Sequence, residues 1–207
     1  MSKHGFTRAE PDARRLSLID ATARVLAREG AGAVSVRAIA LEAGVSPGLV
    51  AHHFGGVDAL IAATYAHVGE RVAAALQQAM DAAGSDPRAR LMAYVAASFA
   101  PPIADRALLA TWTAFWGLVI ARGEIAALHD AQYARYRDGL ETLLAACGLA
   151  PAARRRAAIA ITALVDGLWL ELCLSPGVLD ADEALAIAAG QIALWLNGAG
   201  EPMPESA

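Results

Sequence analysis

Residues 34–60, VSVRAIALEAGVSPGLVAHHFGGVDAL, leave the chain the fewest options. Ser35 can cap a short helix by accepting from an orphan amide of its first turn; Ile39 and Ala40 then face inward and Arg37 outward near its start. Leu41 to Ala43 complete that helix, Gly44 supplies a position that tolerates positive φ, and Val45 drops an apolar side chain into the angle that follows. Ser46 restarts the chain. Its hydroxyl can accept from the next turn, and Pro47 at the first helical position loses no hydrogen bond, because that amide is unpaired anyway. The pattern predicts a second helix over 47–54, joined to the first by a tight turn.

The rest of the composition favours helices. Hydrophobic residues make up 57%, much of it alanine, aromatics are 6%, and the period-2 alternation of sheets is absent. At 207 residues the chain accommodates one small module and one larger bundle. A formal charge of −4 argues against coating nucleic acid by bulk attraction, but its distribution is uneven. Residues 1–60 carry 7 basic and 6 acidic side chains (net +1) and the remainder 10 and 15 (net −5), which is the sign expected if the N-terminal end meets DNA. Cys147 and Cys173 are too few for a disulfide framework, and the start carries no signal-peptide pattern, so a reducing cytoplasm is the expected setting. The longest apolar run, 157–174, contains Asp166 and Glu171; each would cost about 2.5–3.5 kcal/mol near a bilayer centre, which favours a buried helix and no membrane partner.

Along the chain, residues 1 to about 11 read as a mobile arm with Lys3, His4 and Arg8. From Asp12, Leu16, Ile19, Ala23 and Leu26 recur at helical spacing until Gly30 to Gly32, predicting a helix that braces the two short ones. A long helix over 57–83 turns Leu60, Thr64, Val68, Val72 and Leu76 inward. Beyond Gly84 to Pro87, where Asp86 can cap, a helix with Leu91, Tyr94, Val95 and Phe99 ends before Pro101-Pro102. Further helices are predicted over 105–121, 126–147, 152–174 and 180–196, with a loose tail from Gly198.

The run from Ala40 to Phe54 closely resembles the DNA-binding motif of the tetracycline-repressor (TetR) family, whose pattern has an A-x-x-A-G-V-S-x-G-x-x-x-x-H-F core. Many relatives carry an aromatic at Ala51, a polar residue at Leu49 and a phosphate-binding lysine at Val57, and Val57 cannot donate to phosphate. With the second helix in the major groove, Ser46, Pro47, Gly48, Leu49, His52 and His53 would face DNA: small residues allow close approach, Leu49 can meet a thymine methyl, and a histidine can serve phosphate or a base edge. By the same resemblance Arg37 reaches a base, the alternative being contact with phosphate or solvent only.

Outside that motif, Trp112, Phe115 and Trp116 share one helical stretch, and Tyr133, Asp166 and Trp169 follow. Two readings stand. Large aromatics at helical spacing are core filler, with Asp166 satisfied by a neighbouring Ser, Tyr or Arg; or rings and carboxylate form a cage for a quaternary ammonium ion. The segments WTAFW (112–116) and ALVDGLWL (163–170) resemble the choline-responsive subgroup of the same family, which implies a choline-like effector. Adjacent histidines on a helix point about 100° apart and cannot close on one ion, and no other His or Cys lies at ligand spacing, so no metal and no cofactor are expected. No nucleophile elbow, H-E-x-x-H or phosphate-cradling Gly loop is present. The last two helices carry apolar residues on several faces, and an exposed face of that breadth predicts association; Ile161, Leu164, Val165, Leu168, Ile192 and Trp195 are its candidates. In the resembling family these helices pair with their copies, giving a dimer matched to a palindromic operator.

The expected molecule is all-α: a three-helix helix-turn-helix DNA-binding domain over 1–56 and a helical ligand-binding and dimerisation bundle over 57–207. Its expected partners are a double-stranded DNA operator, a small-molecule effector and a second copy of itself. An apolar effector, an activating role and a helical small-molecule enzyme are the alternatives.

Overall fold

A computed structural model describes residues 9–175 and 177–198; the expected N-terminal arm (Lys3, His4, Arg8), the tail beyond Gly198 and the side chain of Cys173 lie outside the described residues. Among the described residues the regular structure is entirely helical: α1 Ala9–Glu29, α2 Val36–Ala43, α3 Pro47–Phe54, α4 Val57–Ala82, α5 Pro87–Ala96, α6 Arg106–Ala121, α7 Gly123–Ala146, α8 Pro151–Leu174 and α9 Ala181–Asn197. No described helix is long and apolar enough to cross a membrane.

The local signals act much as their chemistry requires. Ser35 accepts from the Ala38 amide at 3.2 Å, Asp86 from Ala89 at 2.8 Å and Asp180 from Glu183 at 2.8 Å. Gly44 closes α2 in the left-handed region with φ 66°, where any other L-residue is strained. Ser46 differs from expectation. Its side chain makes no capping bond, and the first turn of α3 is closed instead by the Leu49 amide on the Ser46 carbonyl at 3.1 Å. Helix α1 begins three residues before Asp12, because Pro11 falls in a first turn that needs no amide from it. Helix α7 begins at Gly123, three residues before the predicted start, so only Arg122 separates it from α6. Replacing Ser35 by Ala is expected to cost about 1 kcal/mol, as N-caps generally do, and a urea melt would read it; the same change at Ser46 should cost far less.

The chain forms two compact units. The first contains α1 to α3, α4 as far as Arg71, and 106–130; the second contains 72–105 and the chain from 131 onward. In the first unit Leu18, Ile19, Ala21, Ile39, Val50 and Leu60 form a buried cluster, with Val34, Val45, Phe54 and Val57 packed at its edge. Helix α6 packs on α1, and the Thr111 hydroxyl donates to the Ala23 carbonyl at 3.2 Å. Of the residues predicted to face inward along α4, Leu60, Thr64, Val68 and Leu76 are buried and Val72 is half-buried. In the second unit Leu91, Val95, Leu140, Leu144, Ala158, Ile161 and Ile192 are buried, and α8 packs against α9.

Candidate nucleic-acid interface and effector site

The helix-turn-helix presents a polar edge over an apolar base. Val50, fully buried, fixes which side of α3 faces the core. With that side set, Ser46, Pro47, Gly48 and His52 are exposed, Leu49 and His53 are half-buried, and Arg37 is exposed on α2. A side chain added at Gly48 would meet only open space, so its absence leaves room for an approaching surface. The His52 and His53 rings stand edge to face with centroids 5.0 Å apart, and among the described residues no three His, Cys, Asp or Glu side chains are grouped as metal ligands. Val57 packs against the core instead of pointing to solvent, and the first turn of α4 carries Asp58, which is paired with Arg122.

Three arginines of α1 hold this motif. Arg24 and Arg28 both bind the Glu42 carboxylate, at 2.7 and 2.9 Å, tying α2 to α1. Those hydrogen bonds draw the Glu42 carboxyl below the usual carboxylate range. Arg15 donates to the His53 carbonyl at 2.7 Å and lies over the Phe54 ring, 4.2 Å from its centroid. No spacing rule links Arg15 to Phe54; only the fold brings them together.

The expected effector residues divide between the units. In the first, Trp112 stacks on Tyr65 (centroids 5.3 Å) and Phe115 meets it edge-on (4.8 Å); Tyr65 also hydrogen-bonds His129 Nδ1 at 3.1 Å. Trp112, Phe115 and Tyr65 are buried and Trp116 half-buried, so these rings fill a core. In the second unit, Tyr133 donates its phenol to Asp166 Oδ1 at 3.0 Å. Trp169 donates to the Ser98 carbonyl at 2.8 Å. Tyr136, one helical turn beyond Tyr133, stacks on Tyr94 with centroids 5.1 Å apart, and the Tyr94 phenol reaches the Tyr136 carbonyl at 3.3 Å. The Tyr136 hydroxyl is buried beside Ser98. Burial pushes the Asp166 carboxyl up to about 6, against the opposing pull of the Tyr133 hydrogen bond and the charge of Arg137. The sequence placed Tyr94 and Tyr136 on their helices but did not join them, or Ser98, to the effector residues, because α5 and α7 meet across 42 positions.

The faces of α8 and α9 also differ from expectation. Ile161, Val165, Leu168 and Ile192 are buried within the protomer itself, while Leu164 and Trp195 are half-buried. The outward strips are Ile159, Ala163, Gly167 and Leu174 on α8 and Ala186, Ile187, Gly190 and Leu194 on α9. Apolar residues occur all round both helices, so helical periodicity could not tell the core side from the outer one. A groove of about 410 Å³ borders the α8 strip, lined by Arg137, Asp138, Glu141, Arg155 and Ile159 among others.

Residues 18–64 match the tetR family of bacterial regulatory proteins, and residues 87–196 match the C-terminal domain of BetI-type transcriptional repressors. The HTH-type transcriptional regulator BetI of Burkholderia ambifaria is 37% identical over 183 residues, covering 88% of this chain and 94% of that protein. The chain belongs to the TetR family, with a BetI-type C-terminal domain. It is a transcriptional repressor of that type, and its relatives are regulators rather than enzymes. Among solved structures, a transcriptional regulator of Pseudomonas aeruginosa PAO1 superposes with a TM-score of 0.84 at 39% identity, covering 96% of this chain and 98% of that one. A transcriptional regulator of Saccharomonospora viridis in complex with choline gives a TM-score of 0.74, with 88% of this chain and 96% of that one covered. At 19% identity that likeness is one of fold alone.

Proposed function

We propose that this TetR-family repressor binds a palindromic operator as a homodimer in the cytoplasm and leaves it when a small organic cation binds the second unit. The domain division follows function: 1–56 reads DNA and 57–207 senses the effector and dimerises. Helices α4 and α7 each run from one compact unit into the other, which gives an effector a covalent route to the reader. DNA affinity then falls to the extent that the cation binds the two states unequally.

The observation that carries the DNA reading is the exposed edge of Arg37, Ser46, Pro47, Gly48 and His52 above a buried Val50, with Leu49 and His53 beside it. The first turn of a recognition helix lies nearest the base edges, and here it carries small residues that allow close approach. Selection from random duplex DNA at near-physiological salt is expected to enrich a palindrome. His52→Ala should weaken binding to it, and Arg37→Ala should relax discrimination at particular bases by about 1–3 kcal/mol if the guanidinium reads guanine. An Arg37 that meets only phosphate would weaken all sequences alike and lower the salt slope by about 1. Sequence-blind binding by the wild type would end the operator reading.

The effector reading rests on Asp166. Asp166 is held by Tyr133 beside Tyr136, with Trp169 three residues on along α8, so negative charge and aromatic side chains, the two features that attract a quaternary ammonium ion, occur together. Choline, bound by the Saccharomonospora viridis regulator, is the first ligand to test. Trp112, Phe115 and Trp116, also expected among the effector residues, lie in the first unit, where their rings fill a core. For the dimer, the outward strips of α8 and α9, with Leu164 and Trp195 at their margins, are the proposed contact, and the mixed charges of the adjoining groove suit a surface that meets its own copy.

A further inference from the structure

Helix α3 is poorly secured by its own residues. It is eight residues long, its N-cap Ser46 makes no side-chain bond, and Val50 is its one fully buried residue. Isolated helices of that length are not stable in water, so tertiary contacts must fix its direction. The contact at its C-terminal end comes from α1. Arg15 Nη1 donates to the His53 carbonyl, an orphan acceptor of the last turn, and the guanidinium plane covers the Phe54 ring. A cation there also complements the negative end of the helix dipole. Gly55, left-handed at φ 76°, ends the helix immediately beyond.

We propose that Arg15 is a positioning residue for the recognition helix: by clamping His53 and Phe54 it sets the angle at which the first turn of α3, and His52 beside the clamp, meets the operator. The proposal rests on the DNA reading above and assigns Arg15 no contact with DNA. Arginine is required because one planar group must donate and stack at once; a lysine ammonium supplies the charge without the plane.

The test uses the full-length protein, with the selected operator and a scrambled duplex as probes. Arg15→Gln is expected to weaken operator binding about tenfold while leaving binding to the scrambled duplex and its salt slope unchanged, with Arg15→Lys recovering part of the loss. Phe54→Leu should weaken operator binding similarly, and the double variant should lose less than the product of the two, since both remove one clamp. Arg14→Gln, which removes a charge from the same end of α1, should leave the ratio of operator to scrambled binding unchanged. Equal loss on both duplexes with a salt slope reduced by about 1 would make Arg15 a phosphate contact and overturn the proposal. Hydrogen exchange gives a reading independent of DNA: amides of 48–55 should exchange about tenfold faster in Arg15→Gln than in wild type, and unchanged exchange would overturn the clamp even if the protein selected no operator at all.

Discussion

Asp166→Asn is expected to raise the melting temperature of the unliganded protein at pH 7.5 and to abolish its response to quaternary ammonium compounds. The Asp166 carboxyl stands at about 6 against an ordinary 3.8, because burial penalises the anion more than Tyr133 and Arg137 support it. A rise of that size disfavours the charged form by about 3 kcal/mol. In the folded state the group holds its proton through a pH range where the unfolded chain has released it. The contribution of Asp166 to stability is therefore full below about 4, falls as pH rises towards 6, and stays lost above that. The Asn variant lacks this dependence, so wild type and variant should differ most above pH 7, by several degrees for a chain of this size.

Effector binding should run the other way. A cation beside Asp166 favours the anion, so affinity should rise with pH through about 6, and binding at pH 6 should release a proton. Removing the charge should weaken binding by at least about thirtyfold, the lower end of the roughly 2–5 kcal/mol seen when one member of a buried charge pair is truncated. Thermal shifts with choline at pH 5 and 7.5, and calorimetry at pH 6 in two buffers of different ionisation enthalpy, would read both signs. A wild type whose choline response is unchanged by Asp166→Asn would move the effector away from this carboxylate.

The second large effect separates the core side of α8 from its outer side. Leu168→Glu is expected to prevent folding, because Leu168 is 7% exposed and the change exchanges buried apolar packing for a buried charge, a loss well above 4 kcal/mol. Gly190→Glu should leave a folded protein that no longer dimerises. Within the protomer, a Cβ at Gly167 or Gly190 would meet no neighbouring element within 4 Å, yet a glycine inside a helix costs about 1 kcal/mol relative to alanine. Two such glycines on the outward strips make sense if a partner surface comes close there. Mass in solution across a concentration series, beside circular dichroism, tells the outcomes apart. A folded Gly190→Glu dimer would place the interface elsewhere, and a folded monomeric Leu168→Glu would return it to the face first expected.

The helix-turn-helix was readable from the chain because its determinants are local. Ser35 caps three residues onward, Gly44 supplies the left-handed turn, and Pro47 opens α3, all within about one helical turn of the atoms they act on. The all-helical class followed from alanine content and period for the same reason. Ser46 shows the limit even there, since a suitable hydroxyl beside a helix start need not turn towards it.

What required the tertiary structure was every choice between equally apolar faces and every pairing across distant positions. Leu168 and Ile187 look alike in the sequence, and only the packing of α9 on α8 turns the first inward and the second out. The Tyr133 phenol meets Asp166 across 33 positions, the Tyr94 phenol meets Tyr136 across 42, and Arg15 closes on His53 across 38. A propensity or cap acts through neighbours along the chain and is written into the sequence itself. A buried carboxylate, an aromatic stack or a clamp exists only once the helices have packed, because the atoms that give it meaning come from elements the sequence alone does not bring together.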